Sequence, residues 1–194
     1  MAALADLLDA PVEEVAPRLL GAVVRHGPVA VRLTEVEAYD GPNDPASHSY
    51  RGRTARNAVM FGPPGHLYCY LSHGIHVCGN VSAGPEGHAS GVLMRAGEVV
   101  DGIDVARAAA PLLADRDLAR GPGRLGRTLG LRLDLNGTDL VDGVVTVTPG
   151  ERVEAVASGP RTGVRRAAER PWRFWIEGDP TVSPYRRHPL GEGV

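Results

Sequence analysis

A carboxylate beside aromatic residues is the first feature of this sequence that could do chemistry. The residues Thr34 to Tyr39 (TEVEAY) read as a strand on which Glu35, Glu37 and Tyr39 face the same side. Six turn formers (DGPNDP) follow and end the strand before His48. Because loops carried by a rigid sheet hold many catalytic groups, we predict that Glu37, Tyr39 and His48 line one pocket. A solvated carboxylate is the alternative for Glu37, since most acids are exposed.

A hairpin predicted between Leu67 and Asn80 (LYCYLSHGIHVCGN) carries a second group of polar and aromatic residues. A two-residue loop, His73-Gly74, would pair Tyr70 with Val77 and leave Asn80 on the opposite face. A three-residue loop, Ser72-His73-Gly74, with Gly74 left-handed in a bulge, would gather one set of residues on a single face. We predict the three-residue loop, with His73 at an exposed tip. The gathered set is Tyr70, His76, Cys78 and Asn80.

Arg95 lies inside an apolar strand (VLMRA), where an arginine is nearly always paired. We predict Glu37 as its partner, and the alternative is an ordinary salt bridge at a sheet edge.

The run from Gly121 to Gly126 (GPGRLG) matches G-x-G-x-x-G, but no buried strand precedes it and Pro122 removes an amide from the turn. We therefore exclude dinucleotide binding. The helix predicted to start here could still hold a phosphate, beside Arg120, Arg124 and Arg127.

Metal and disulfide chemistry are not expected. His66, His73 and His76 lack the spacing of zinc ligands, with His73 predicted at a loop tip. The two cysteines, Cys69 and Cys78, are too few for a disulfide scaffold. We predict that both are small, unbonded core residues.

The composition fits one globular domain of 194 residues with a formal net charge of −2. Every basic residue is arginine, so no lysine can form a Schiff base. Seven arginines fall between Arg161 and His188, which leaves a local basic face possible. No apolar run could span a bilayer and the N-terminus is acidic, so we expect a cytoplasmic protein.

Local patterns predict two short helices within residues 1–18, broken at Pro11, and a frayed tail over residues 183–194. Two further helices are expected. Consecutive strands on short turns predict an antiparallel sheet. The predicted strands are 22–26, 29–39, 66–71, 75–81, 91–99 and 140–148, and the two helices are 101–110 and 121–131.

Six motifs together resemble the alkyladenine (3-methyladenine) DNA glycosylase family, over about Leu19 to Gly178. The resemblance implies a mixed α/β (α+β) fold, a single domain with a curved antiparallel β-sheet and surrounding helices, unlike the helix-hairpin-helix glycosylases. The motifs are Glu35-Val36-Glu37-Ala38-Tyr39, Asp44-Pro45-Ala46-Ser47-His48-Ser49, Arg56-Asn57-Ala58-Val59-Met60-Phe61, Pro64-Gly65-His66-Leu67-Tyr68, Val92-Leu93-Met94-Arg95-Ala96 and Gly121-Pro122-Gly123-Arg124-Leu125.

This resemblance implies roles for individual residues. Glu37 matches the general base that activates water for attack on the deoxyribose C1′, and Arg95 matches a residue that helps hold that water. Asn80 matches the amide that rejects guanine by a clash with its 2-amino group. The rings that would sandwich a flipped base are Tyr39, His48 and Tyr70.

The resemblance also implies contacts with duplex DNA. His73 stands where the family commonly has a tyrosine that fills the gap left by a flipped nucleotide. The wedge and backbone contacts are expected from His73, Ile75, His76, Arg53, Arg56, Arg120 and Arg124.

The function expected is monofunctional excision of alkylated or deaminated purines from damaged double-stranded DNA, as in base excision repair. We expect a monomer that needs no cofactor and no metal and does not bind membranes. Two alternatives belong to other classes: a noncatalytic protein that binds damaged DNA, and a metal-dependent hydrolase of small molecules.

Overall fold

One long strand, β2, organises the sheet. In the computed structural model, which describes residues 4–189, all strand pairs are antiparallel and follow the order β3-β4-β5-β2-β1-β6. On the edge of β2 that faces away from β5, residues 29–32 pair with β1 and residues 35–37 pair with β8, which also pairs with β7. The strands are β1 (Val23–His26), β2 (Val29–Asp40), β3 (Leu67–Ser72), β4 (His76–Ala83), β5 (Ser90–Asp101), β6 (Val145–Thr148), β7 (Val156–Gly159) and β8 (Arg173–Ile176).

Four short helices pack around this curled sheet. They are α1 (Leu4–Leu8), α2 (Val12–Arg18), α3 (Ile103–Ala109) and α4 (Pro122–Thr128). Pro11 separates α1 from α2, and Pro122 is the first residue of α4, as predicted. Residues 1–3 lie outside the described part of the chain. The mixed α/β fold with a curved antiparallel sheet is confirmed. None of the helices among residues 4–189 is long and apolar enough to cross a membrane.

The two faces of the sheet have different neighbours because side chains alternate along each strand. One face packs against α1, α2 and α4 in the main hydrophobic core, which includes Val36, Leu67, Val81 and Met94. The opposite face carries Glu37, Tyr68, Asn80 and Leu93. The strand register places these last four side by side, as Glu37 pairs with Leu93, Leu93 with Asn80 and Asn80 with Tyr68.

The tip of the β3–β4 hairpin differs from the prediction by one residue. Ser72 pairs with His76, so the connection is His73-Gly74-Ile75 rather than Ser72-His73-Gly74. Gly74 is left-handed as predicted, with φ of 71°, and His73 also has a positive φ, 49°. The backbone N–H of Ile75 donates to the carbonyl of Ser72 over 3.0 Å and closes the turn. The predicted face is confirmed, because Tyr70 pairs with Cys78 and therefore lies on the side of His76 and Asn80.

Two predictions about the second half of the chain are wrong, and two strands were missed. The strand predicted for residues 140–148 begins only at Val145, and β7 and β8 were not predicted at all. The predicted tail does not fray at its start: Ser183 is buried, and the carbonyl of Arg186 accepts a hydrogen bond from the Gly163 N–H. Residues 190–194 of that tail lie outside the described residues.

The close packing of helix α4 against β4 requires two glycines of the G-x-G-x-x-G match. A Cβ at Gly126 would overlap the carbonyl oxygen of Val77 in β4, and a Cβ at Gly123 would come within 2.8 Å of the His76 ring. These glycines let the helix lie directly against the hairpin that forms part of the site.

Candidate active site

Eight of the predicted site residues line one cavity of about 1070 Å³. The sheet face described above forms its floor, and the loops after β2 and β7 form its sides. Glu37 belongs to this face but has no exposed surface, and Tyr39, which bonds to it, lines the cavity. The predicted residues that line the cavity are Tyr39, His48, Arg56, Tyr70, His73, His76, Asn80 and Arg95.

The Glu37 carboxylate is held by two hydrogen bonds and one ion pair. The Tyr39 hydroxyl donates to Oε2 over 2.8 Å, and the backbone N–H of Thr162 donates to Oε1 over 2.6 Å. Arg95 Nη1 lies 3.3 Å from Oε1. Burial and the negative charge of Glu37 raise the pKa of Tyr39 well above its ordinary value, so the phenol stays protonated and remains a donor. The carboxylate therefore has a fixed orientation directly beneath the cavity.

Arg95 bridges two glutamates rather than one. Its Nε donates to Glu35 Oε1 over 2.8 Å, a shorter contact than that with Glu37. The predicted Glu37 pairing is thus present, but Glu35 is the closer partner. Glu35 also accepts from Arg173 Nε over 2.6 Å and from the Ser183 N–H over 2.7 Å. Burial alone would raise the pKa of Glu35, but the charge of Arg95 and these hydrogen bonds hold it below its ordinary value.

One wall of the cavity is aromatic. The His48 and Tyr70 rings meet edge to face with centroids 4.6 Å apart, and Tyr68 stacks beside Tyr70 at 5.9 Å. His48 Nδ1 lies 3.3 Å from the Tyr68 hydroxyl. Burial, and then the positive charge of Arg56, lower the pKa of His48. This wall therefore presents a neutral imidazole and neutral phenols.

Asn80 lies at the floor of the cavity, and its Nδ2 donates to the carbonyl of Tyr68 over 3.2 Å. That bond across the hairpin fixes the orientation of the amide. The residue is only 6% exposed, so the amide presents one fixed orientation to the cavity.

Arg161 is a positioning residue that the sequence did not reveal. It is fully buried, pairs with the buried Asp44 through Nη1 and Nη2, and donates to the carbonyl of Ala38 over 2.9 Å. Its guanidinium lies 4.6 Å from the centroid of the Tyr39 ring. The pair thus joins the strand that carries Tyr39 to the loop that carries His48. The residues next to Arg161 in the sequence give no indication that it is buried. The sequence showed only that it begins an arginine-rich stretch.

The residues expected to contact DNA fall into two groups. His73 lies at the hairpin tip and the Ile75 side chain is 72% exposed. Arg53 is exposed, whereas Arg120 and Arg124 contact Asp117, at 3.2 and 3.8 Å. Arg53, Arg120 and Arg124 do not line the cavity.

The cavity wall is strongly basic. Among the described residues, seven arginines and no aspartate or glutamate line it, although the whole chain has a net charge of −2. Four of these arginines, beyond residue 160, were not assigned from the sequence. They are Arg165, Arg166, Arg186 and Arg187.

The two cysteines are unbonded, as predicted. Both are buried, as expected. They lie on opposite faces of the sheet: Cys69 packs in the main hydrophobic core, whereas Cys78 lies on the face that lines the cavity. Within residues 4–189, no group of three or more His, Cys, Asp or Glu side chains is arranged to hold a metal ion.

Comparison with known proteins gives a consistent result. A sequence model of the family described as "Methylpurine-DNA glycosylase (MPG)" matches residues 6–180. A relative from Frankia casuarinae is 56% identical over 92% of this chain and 90% of its own length. One from Nocardia farcinica is 55% identical over 92% and 89%, and one from Mycobacterium leprae is 52% identical over 95% and 90%. All three carry the name "Putative 3-methyladenine DNA glycosylase".

Proposed function

Because the chain belongs to the methylpurine-DNA glycosylase family, and is thus a DNA repair hydrolase acting on N-glycosyl bonds, we propose that it flips alkylated or deaminated purines into the cavity and excises them. The substrates are of the 3-methyladenine, 7-methylguanine and hypoxanthine class. One observation carries the proposal: a buried carboxylate, Glu37, lies directly beneath an aromatic cavity with a basic rim. We also propose that the protein acts as a monomer.

Glu37 is the general base in this mechanism. It takes a proton from water as the water oxygen bonds to the deoxyribose C1′, and the C1′–N bond breaks with its electron pair going to the base. The products are a free purine and an abasic site. Since Glu37 is fully enclosed, one of its donors must shift to admit the water, and Tyr39 is the donor that lines the cavity. Arg95, 3.3 Å from Glu37, helps hold the water.

Recognition of the base relies on neutral rings. Tyr39, His48 and Tyr70 grip the flipped purine, and an alkylated purine carries a positive charge that π faces attract by about 0.5–2 kcal/mol. Unstacking costs a few kcal/mol and is cheapest for a damaged base. Asn80, fixed by its bond to Tyr68, disfavours normal guanine through a clash with its 2-amino group. 7-Methylguanine carries the same group but is excised because its cationic ring is attracted by the π faces and is a good leaving group. The absence of lysine agrees with an enzyme that leaves the abasic site uncut.

Protonation of His48 should weaken excision of a cationic base, because it would place two positive charges side by side. The pKa of His48 is lowered from the ordinary value of about 6.5, so its imidazole stays neutral to a lower pH than that of an exposed histidine. We expect the single-turnover rate on 7-methylguanine to be flat from about pH 8 to 6.5 and to fall as the pH passes through that lowered pKa. The His48→Phe variant, which keeps an uncharged ring, should lose this fall. If it shows the same fall as the wild type, another group is responsible.

His73 is proposed to enter the duplex and fill the gap left by the flipped nucleotide. Its position at the hairpin tip beside the exposed Ile75 suits this role. His76 and Arg56, which line the cavity, together with the exposed Arg53, contact the DNA backbone on this proposal. Arg120 and Arg124 do so only if they release Asp117.

We expect His73→Ala to weaken binding to a duplex with an abasic-site analogue by about tenfold, since loss of ring stacking costs about 1–3 kcal/mol. The rate on saturated substrate should change much less. Fluorescence anisotropy and single-turnover kinetics measure the two effects. Val144→Ala, at a residue that is 66% exposed and outside the cavity lining, is the control. Unchanged affinity in His73→Ala would exclude the wedge.

Release of free purine from a methylated duplex in the presence of a chelator tests the proposed function. The proposed enzyme releases base at an unchanged rate. Binding without release would indicate a noncatalytic binder of damaged DNA, and release abolished by the chelator would indicate metal-dependent hydrolysis.

A further inference from the structure

Four exposed arginines at the cavity mouth have no carboxylate partner. Within residues 4–189, none of Arg165, Arg166, Arg186 and Arg187 forms an ion pair, and none has an acid beside it in the cavity wall. Several other exposed arginines do form such pairs, although not all of them do. Examples are Arg25 with Asp101 at 2.9 Å, Arg107 with Asp115 at 2.7 Å and Arg132 with Asp134 at 3.0 Å.

Two of these arginines lie on a segment whose position is fixed, which we name the C-terminal strap (residues 183–189). Its first residue, Ser183, donates to Glu35, accepts at its carbonyl from Arg173 over 2.8 Å and accepts at Oγ from Arg95 over 3.3 Å. Further along, the carbonyl of Arg186 accepts from Gly163 over 2.9 Å. The strap therefore runs from the ion network around Arg95 to the loop that carries Arg165 and Arg166.

Resting on the proposed function, we propose that Arg186 and Arg187 of the strap, with Arg165 and Arg166 facing them, bind backbone phosphates of the DNA strand that carries the flipped nucleotide. Guanidinium groups match phosphate oxygens in pairs. Because these side chains form no ion pair in the free protein, none has to be broken when they bind phosphate. The bond from Gly163 to the Arg186 carbonyl holds the two arginine pairs together at the mouth through which a nucleotide must enter.

The salt dependence of binding tests this proposal. The double variant Arg186→Ala/Arg187→Ala removes two phosphate contacts, so the slope of log K against log salt should fall in magnitude by about 1–2, and affinity at low salt should fall about tenfold or more. The duplex carries an abasic-site analogue. The double variant Arg165→Ala/Arg166→Ala should lower the slope and the affinity by similar amounts. The control, Arg132→Ala/Arg152→Ala, removes the same charge away from the cavity and should leave the slope almost unchanged.

The rate on saturating DNA distinguishes binding from support of the site. We expect both strap and loop variants to excise 7-methylguanine at the wild-type single-turnover rate once bound. A slope equal to that of the control would overturn the proposal, and so would a lower saturated rate with unchanged affinity, because the strap would then only hold the site in shape. If the wild type binds DNA but releases no base, the proposed function is wrong. The salt slopes would still show whether the arginines of the C-terminal strap bind phosphate.

Discussion

Replacing Glu37 by glutamine is expected to lower base release by about 10²- to 10⁴-fold, the usual contribution of a general base. The amide has nearly the same size as the carboxylate. Its oxygen can still accept from the Thr162 N–H and Arg95, and its nitrogen can donate to the Tyr39 hydroxyl, which can accept as well as donate. The variant should therefore fold and bind an abasic-site analogue with close to wild-type affinity.

Single-turnover release of 7-methylguanine and anisotropy with the abasic analogue measure these two effects for Glu37→Gln. Glu86→Gln, at an exposed glutamate, is the matched control and should retain full activity. If Glu37→Gln loses binding and thermal stability together with activity, then Glu37 acts as a structural anchor. If it retains activity, another group activates the water.

Much of the site could be predicted because it depends on local alternation. The period of two along β2 places Glu37 and Tyr39 together, and the same period in the hairpin places Tyr70 with Asn80. A one-residue error in the loop left that face unchanged, because the pairing shifted by an even number of positions. Such patterns survive small errors in the position of a turn.

The closer partner of Arg95, Glu35, could not be predicted in the same way. The pairing of β2 with β5 shifts on both sides of Glu35, so a bulge directs this side chain toward Arg95 more closely than alternation suggests. Bulges depend on both strands and leave no clear mark in one of them.

Strand β8 and the strap were missed for a related reason. Each is short or irregular and is stabilised by residues more than 130 positions away: Arg173 and Ser183 both bond to Glu35. A polar tail with arginine and proline resembles a disordered one when only composition is considered. Its order comes from a buried carboxylate that lies far away in the sequence.

The second large effect is expected from the buried pair of Asp44 and Arg161. Neither side chain is exposed, and Arg161 also bonds to the carbonyls of Ala38 and Ala167. Asp44→Ala would leave an uncompensated buried guanidinium, which typically costs about 3–5 kcal/mol. That is a large share of the about 5–15 kcal/mol by which most domains are stable. Urea denaturation should therefore give a much lower free energy of unfolding.

A surface pair provides the comparison for Asp44→Ala. Asp134→Ala breaks the exposed contact with Arg132 and should cost no more than about 1 kcal/mol. The double variant Asp44→Ala/Arg161→Met removes both charges and should lose clearly less than the sum of the single variants, because it leaves no unpaired ion. Equal losses at Asp44 and Asp134, or strict additivity in the double variant, would mean that this pair does not hold the loop of His48 to the strand of Tyr39.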